Sequence, residues 1–172
     1  MKAIIYTTGT GSTAQYASLL AKQTGLPAIS LTAAQKSVPR GTKIIYLGWI
    51  MAGTIKGYAK AVSRYRVCAV CGVGMGQTET QTDLVREKSR VPDDIPLFTL
   101  QGNFDVKKLH GLYRLMMEMM VRTAGRSLEK KKDRSPEEDE MLDMMRHGGE
   151  RVNAGHLKAV LDWYDAQSED RK

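Results

Sequence analysis

Between a short apolar run and an amphipathic stretch lie residues whose types could hold an anion: Tyr6-Thr7-Thr8-Gly9-Thr10-Gly11-Ser12-Thr13-Ala14. A strand delivers such a loop to the start of a helix, where orphan N–H groups and the positive end of the dipole face any anion placed there. Gly9 and Gly11 let the backbone curl around a phosphate, and the hydroxyls of Thr8, Thr10, Ser12 and Thr13 can donate to its oxygens. No lysine stands in the loop, so it is not a triphosphate-binding P-loop. Its glycines also lack the GxGxxG spacing of a dinucleotide fold. Neutral donors in this density suit a single phosphomonoester. A plain turn with a helix cap would explain one hydroxyl well and four poorly.

The other residues with chemical potential point elsewhere. Cys68 and Cys71 form a CxxC, but the flanking Val67, Ala69, Val70 and Val73 describe a buried strand. Positions three apart on a strand point to opposite faces, whereas redox pairs sit at a helix N-terminus that stabilises the thiolate. His110, His147 and His156 show no spacing that would complete a zinc site with them. The expectation is two core thiols and no metal. His110 lies beside a methionine-rich segment and reads as a helix-surface residue rather than a proton donor. No triad and no paired carboxylates stand out, so no catalytic residue is assigned.

The elements that must position the loop follow from periodicity. Lys2 to Tyr6 reads as a first strand, and a helix follows from Ser12 to Thr24 with Ala14, Ala17, Leu20 and Ala21 on one face. Gly25 ends that helix at C′, and Pro27 follows. Further strands are expected at 28–31, 43–47, 66–73 and 96–100. Small residues from Gly48 to Gly53 read as a loop, with helices at about 54–64 and 79–90. Alternating strands and helices argue for right-handed βαβ units and a three-layer, doubly wound parallel sheet of five strands. Periodicity does not set the strand order; the order 2-1-3-4-5 would place a ligand at the switch point between strands 1 and 3.

The last third is helical. A helix over 105–124 is predicted with Leu109, Leu112, Met116, Met119, Met120 and Thr123 on one stripe, widened by Tyr113, Met117 and Val121. Arg126 to Arg134 reads as a solvated basic loop. Ser135-Pro136-Glu137-Glu138 carries a capping box for the next helix, which ends at His147-Gly148. A final helix from about Asn153 would bury Leu157, Val160, Leu161 and Tyr164. The chain, 1–172, is read as a single domain with a helical basic insertion at about 105–152.

Composition bounds the rest. The chain has 172 residues, 42% of them hydrophobic and 26% charged, enough for a core without disulfides or metal. No apolar run approaches the roughly 18 residues of a transmembrane helix, and Ala3-Ile4-Ile5-Tyr6 is too short for a signal sequence. A cytoplasmic protein is expected. The net charge of +7 is uneven: residues 107–134 hold nine basic and three acidic side chains, residues 135–172 five and ten. With Lys107, Lys108, Arg114 and Arg122 beside the methionines, the segment could lie on the inner face of an anionic membrane or dock a partner, although core packing is the favoured reading. Nucleic acid is disfavoured, because the basic cluster, including Lys130-Lys131-Lys132, lacks interleaved aromatics.

Thr8 and Thr10-Gly11-Ser12-Thr13 resemble the phosphate loop of the flavodoxin family. Leu47-Gly48-Trp49-Ile50-Met51-Ala52-Gly53 is similar to the loop that flanks the isoalloxazine ring there. The resemblance covers roughly residues 1–102 and the final helix, and looks closest to the branch that includes menaquinone-dependent protoporphyrinogen oxidase, whose members are also basic, with a long helical and basic segment after the fifth strand. It implies the strand order 2-1-3-4-5 and FMN as cofactor, with the phosphate on Thr8, Gly9, Thr10, Gly11, Ser12 and Thr13. Trp49, Ile50, Met51, Ala52, Gly53 and Gly74, Met75, Gly76 would then border the ring. It implies electron transfer or oxidoreduction, with a redox protein, a quinone or a porphyrinogen-like small molecule as partner. Carrier flavodoxins often place an aromatic near Ala52, where this chain has a small residue, so Trp49, Ile50 or Met51 must supply the apolar contact. They also tend to be acidic; a basic surround should favour the reduced flavin by the logic that shifts a carboxylate beside a charge.

Two rival readings remain open at this level. The domain could bind a non-flavin phosphate ligand, or act as an interaction module through its Met-rich basic helix. It could also be an NADPH-dependent flavin reductase on the same fold.

Overall fold

A computed structural model describes residues 1–103 and 111–169. The strands are β1 (Ala3–Thr7), β2 (Ala28–Ser30), β3 (Lys43–Met51), β4 (Thr54–Ile55), β5 (Arg66–Gly74) and β6 (Leu97–Gln101). The helices are α1 (Ser12–Thr24), α2 (Leu31–Ser37), α3 (Tyr58–Val62), α4 (Thr82–Ser89), α5 (Gly111–Lys130), α6 (Pro136–His147) and α7 (Lys158–Glu169), the last preceded by a 3-10 turn at Ala154–Leu157. The parallel strands run in the order β2-β1-β3-β5-β6. This is the expected doubly wound order, with β4 added antiparallel to the end of β3.

Each face of the sheet has its own core. Alternate residues of β1 and β3, Ile5, Ile44 and Tyr46, face α2, α3 and α4 and meet Leu31, Ala61 and Val85. Ile4, Ile45 and Leu47 face the other way, onto Tyr16, Ala17 and Leu20 of α1 and onto Leu157 and Val160 of the final turn and helix. Ile44 through Leu47 are all fully buried, as a parallel strand covered on both faces requires. The final helix therefore belongs to the sheet's α1 layer, with Leu161 and Tyr164 packed on it as expected.

Gly25 caps α1 at φ 70, its N–H donating to Ala21 O at 2.9 Å. The capping box of α6 also forms: Ser135 N–H donates to Glu138 Oε2 at 3.0 Å and Glu138 N–H to Ser135 Oγ at 3.3 Å.

The structure corrects several expectations. Residues 48–51 are not loop but the continuation of β3, which turns back into β4 through Ala52 and Gly53. Both turn residues have positive φ, 51 and 79, the requirement of a two-residue type I′ hairpin. The helix expected over 54–64 is consequently only Tyr58–Val62. A helix after β2, Leu31–Ser37, was not anticipated; it is capped by Ser30 Oγ, which accepts from Ala33 N–H at 3.3 Å. The basic stretch from Arg126 is helical as far as Lys130, so the loop is confined to the residues before Pro136.

Cys68 is not a core thiol. It is the unpaired residue of a bulge, since Ile44 pairs with Val67 and Ile45 with Ala69, and it is half-buried. Only Cys71 lies in the core, where burial pushes its thiol up to about 12 and keeps it neutral. Of the expected α5 stripe, Met119 is 62% exposed, and Leu115 one turn before it is 58% exposed. Lys107, Lys108, Leu109 and His110, and the side chains of Leu112, Tyr113, Met116, Met117 and Met120, lie outside the described residues. Among the described residues no helix is long and apolar enough to cross a membrane.

One glycine fixes where α3 starts. Gly57 sits at φ 82, and a Cβ there would stand 2.2 Å from Tyr46 Oη and 2.5 Å from Thr7 Oγ1. Gly25 shares the left-handed conformation but has open space around its Cβ position. Gly25→Ala should cost only the conformational penalty, about 1 kcal/mol. Gly57→Ala should cost about 2–4 kcal/mol, because overpacking adds to strain. Urea midpoints at unchanged m-value check this, and equal losses at the two sites would refute the steric account of Gly57.

Candidate functional site

The chain leaves β1 at Thr7 and enters α1 through Gly11, which takes φ 105 as the N-cap residue. Gly11 N–H donates to Thr8 Oγ1 at 3.1 Å, which folds the loop back on itself. No side chain caps α1, and no acidic residue stands in its first turn. The first-turn N–H groups and the helix dipole are thus presented at the C-terminal edge of the sheet, between β1 and β3. Thr13 is 1% exposed and Ser12 5%, so the start of the helix is set into the protein rather than onto its surface.

The four expected hydroxyls are not equivalent. Ser12 Oγ accepts from Asn103 N–H at 3.0 Å, tying the end of β6 to α1. Gly102 beside it has no room for a Cβ, which would lie 2.8 Å from Val73 Cγ1 and 3.2 Å from Ser12 Cβ. Thr8, Thr10 and Thr13 remain as side-chain donors, with Ser12 contributing its backbone N–H.

Trp49 comes to the loop from β3. A Cβ on Gly9 would stand 3.2 Å from the indole, so Gly9 lets the ring lie close against the loop. The hairpin holds this wall in place. Lys56 N–H donates to Trp49 O at 2.9 Å, and Gly48 admits the returning strand, since a Cβ there would be 2.5 Å from Ile55 Cγ2. Ser89 Oγ, at the end of α4, accepts from Ile55 N–H at 2.9 Å. Ile50 turns to the other face and packs over Gly72 and Gly74, while Met51 is half-buried and Ala52 is exposed at the hairpin tip.

Gly74, Met75 and Gly76 leave the end of β5. Gly74 O accepts from Gly102 N–H at 2.7 Å, and Gly76 nestles against Thr80 and Gln81. The structure therefore brings the Thr8–Thr13 loop and Trp49 into contact. It sets the β5 loop at the same sheet edge, across Ile50 and Gly102.

An open cavity of about 710 Å³ lies beside the loop on the α2–α3 side. Thr8, Gly9 and Trp49 form one wall, Leu31 and Gln35 of α2 another, and the hairpin with Lys56 and Lys60 a third. Thr10, Gly11, Ser12 and Thr13 do not line it. Behind two of its lining residues stands a buried phenol: Tyr46 Oη lies 2.7 Å from Lys56 O and 2.8 Å from Thr7 Oγ1. A carbonyl can only accept, so the single phenol proton goes to Lys56 O and Thr7 completes the bond with its own. Burial pushes this phenol up to about 12, and the group stays protonated.

Sequence reasoning missed the residues that attach the C-terminal third to this edge. Asn103 Oδ1 accepts from Arg151 N–H at 2.6 Å and Val152 N–H at 2.9 Å, and its Nδ2 donates to Gln15 Oε1 at 3.1 Å. Tyr16 Oη donates to Gln101 O at 2.5 Å and lies 2.7 Å from His156 Nδ1. With the phenol proton committed to the carbonyl, His156 Nδ1 carries the proton it shares with Tyr16. Glu140 of α6 accepts from Gln77 Nε2 and Gln101 Nε2, each at 3.1 Å, and its Oε1 is 3.4 Å from Arg151 Nε. Partners so distant in sequence leave no periodic signal.

The two glutamine donors, with Arg151 behind them, hold the Glu140 carboxyl below its ordinary range. A depressed folded-state value contributes stability above the unfolded value and loses it as pH falls through the folded one. Glu140→Gln should therefore destabilise the protein at neutral pH. The gap from the unsubstituted chain should close as pH drops below the ordinary carboxylate range. Urea melts across that range check this, and a gap independent of pH would refute it.

A family model of the flavodoxin domain matches residues 3–131 of the 172. Neither a curated protein nor a solved structure matches the chain. The matched span takes in the Thr8–Thr13 loop, Trp49 and its hairpin, the β5 loop, and all the parallel strands in their flavodoxin-like order. The chain belongs to the flavodoxin domain family.

Proposed function

We propose that this chain binds FMN and acts in electron transfer or as an oxidoreductase. The observation that carries the reading is the uncapped start of α1, with Gly11 left-handed at its N-cap, at the β1/β3 switch point. The donor set fits a phosphomonoester. It consists of first-turn N–H groups and the hydroxyls of Thr8, Thr10 and Thr13, with no carboxylate from Thr7 to Ala14. Ser12 would contribute its N–H, since its hydroxyl is engaged by Asn103.

FMN supplies hydride and single-electron chemistry when bound; the chain's part is to bind, orient and shield. Gly9 and Trp49 offer an apolar face next to the phosphate loop, in place of the aromatic that Ala52 does not provide. Met51, Ala52 and Gly53 from the hairpin, with Ile50 beneath, and Gly74, Met75 and Gly76 from the β5 loop, are the segments proposed to border the ring. Glu140 and Gln77 brace the β5 loop against α6. No side chain here is assigned a proton-transfer role.

The finer reading, a protoporphyrinogen-oxidase-like enzyme with a quinone or a redox protein as electron partner, is supported by the helical insertion after β6 and its basic charge. Leu115 and Met119, exposed one turn apart beside Arg114 and Arg122, suit contact with an anionic bilayer surface where a quinone would be met.

An FMN titration followed by flavin fluorescence tests the site. Charge-assisted bonds to a phosphate contribute about 1.5–3 kcal/mol each, so Thr10→Ala with Thr13→Ala should weaken binding by at least about a hundredfold. The far-ultraviolet spectrum of the variant should be unchanged. Absence of saturable binding by the unsubstituted chain would remove the flavin and leave the non-flavin interaction reading.

A further inference from the structure

The cavity beside Trp49 is too large to be a packing defect, and its volume of about 710 Å³ falls within the roughly 300–1,000 Å³ of small-molecule sites. We propose that it is a second ligand site, taking a small molecule that presents an oxyanion, phosphate or carboxylate, on an apolar or planar body. The lining makes that choice. Lys56 and Lys60 both line the site with Thr32, while Leu31 and Trp49 give apolar walls, and no Asp or Glu lines it. A cleft with one sign of charge and apolar walls concentrates anions of that kind.

The cavity is also built rather than incidental. Tyr46 fixes the Lys56 carbonyl from behind, Trp49 O fixes the Lys56 N–H, and Gly57 leaves room for the Tyr46 hydroxyl. The backbone at Lys56 is thereby held from both sides before any ligand arrives. Preorganisation of this sort lowers the ordering cost of binding. The site shares Thr8, Gly9 and Trp49 with the proposed flavin site, but none of Thr10 to Thr13, Ile50 to Gly53 or Gly74 to Gly76 lines it. Its occupant would share the Trp49–Gly9 wall with whatever binds the phosphate loop, which places it beside that group.

The two tryptophans allow a direct readout. Trp163 packs on Phe98, ring centroids 6.4 Å apart, and does not line the cavity. Trp163→Phe leaves Trp49 as the sole indole. In this flavin-free protein, ADP-ribose probes the phosphate source and trimesate the carboxylate source. At least one should quench Trp49 saturably. Lys60→Glu, at an exposed position, should weaken that binding at least tenfold, and Lys60→Arg should retain it. The stronger probe names the source. Calorimetry repeated in saturating FMN should give an unchanged affinity, and the Thr10→Ala, Thr13→Ala pair should leave probe binding intact. Three outcomes would overturn the proposal: no saturable quenching by either probe, quenching indifferent to the charge at Lys60, or competitive displacement by FMN, which would make the cavity part of the flavin's own site.

Discussion

A strand buried on both faces must satisfy every backbone group within the sheet and every side chain within a core, and β3 carries that constraint for this molecule. Its residues from Ile44 to Leu47 are wholly enclosed, and it pairs with β1 on one side and β5 on the other. Beyond Gly48 the cover gives out, and the strand continues as a hairpin that stands over the sheet edge. The Thr8–Thr13 loop, Trp49, Tyr46 and the cavity are all arranged around that projecting strand. Lengthening β3 without β4 would expose an unpaired edge. The type I′ turn at Ala52-Gly53 closes it within two residues.

The glycines at this edge follow from the same crowding. Gly48 admits the returning β4, Gly57 clears Tyr46 and Thr7, and Gly72 with Gly74 receives Ile50. Each marks a place where one backbone passes close to another chain segment. Gly53 and Gly57 combine that crowding with positive φ.

Much of this was legible because local rules and tertiary demands agree. The strand–loop–helix at Thr8 to Thr13, the Gly25 cap, the capping box at Ser135 and the alternation of strands and helices follow from residue type and spacing; the order of the parallel strands came from the flavodoxin-like resemblance. The hairpin was not legible, because Gly48 to Gly53 is rich in small residues and looks like loop by composition. Its strand character comes from Ile55 and Ile50 being drawn into the core. Helix α2 is too short to show a period. Cys68 was misplaced because a bulge breaks the alternation that the two-residue period assumes. Asn103 and Glu140 gave no signal. Their roles depend on where the C-terminal third lands, a matter of partners 48 to 91 positions away for Asn103.

The central claim is that the start of α1 recognises a phosphate and not merely a planar ring. Comparing the affinities of FMN and riboflavin, which differ only in that group, tests it most directly. The account predicts FMN tighter by at least about a hundredfold, the worth of two charge-assisted bonds at the lower end of their range. Equal affinities would contradict it and leave the loop as a turn that happens to precede a helix.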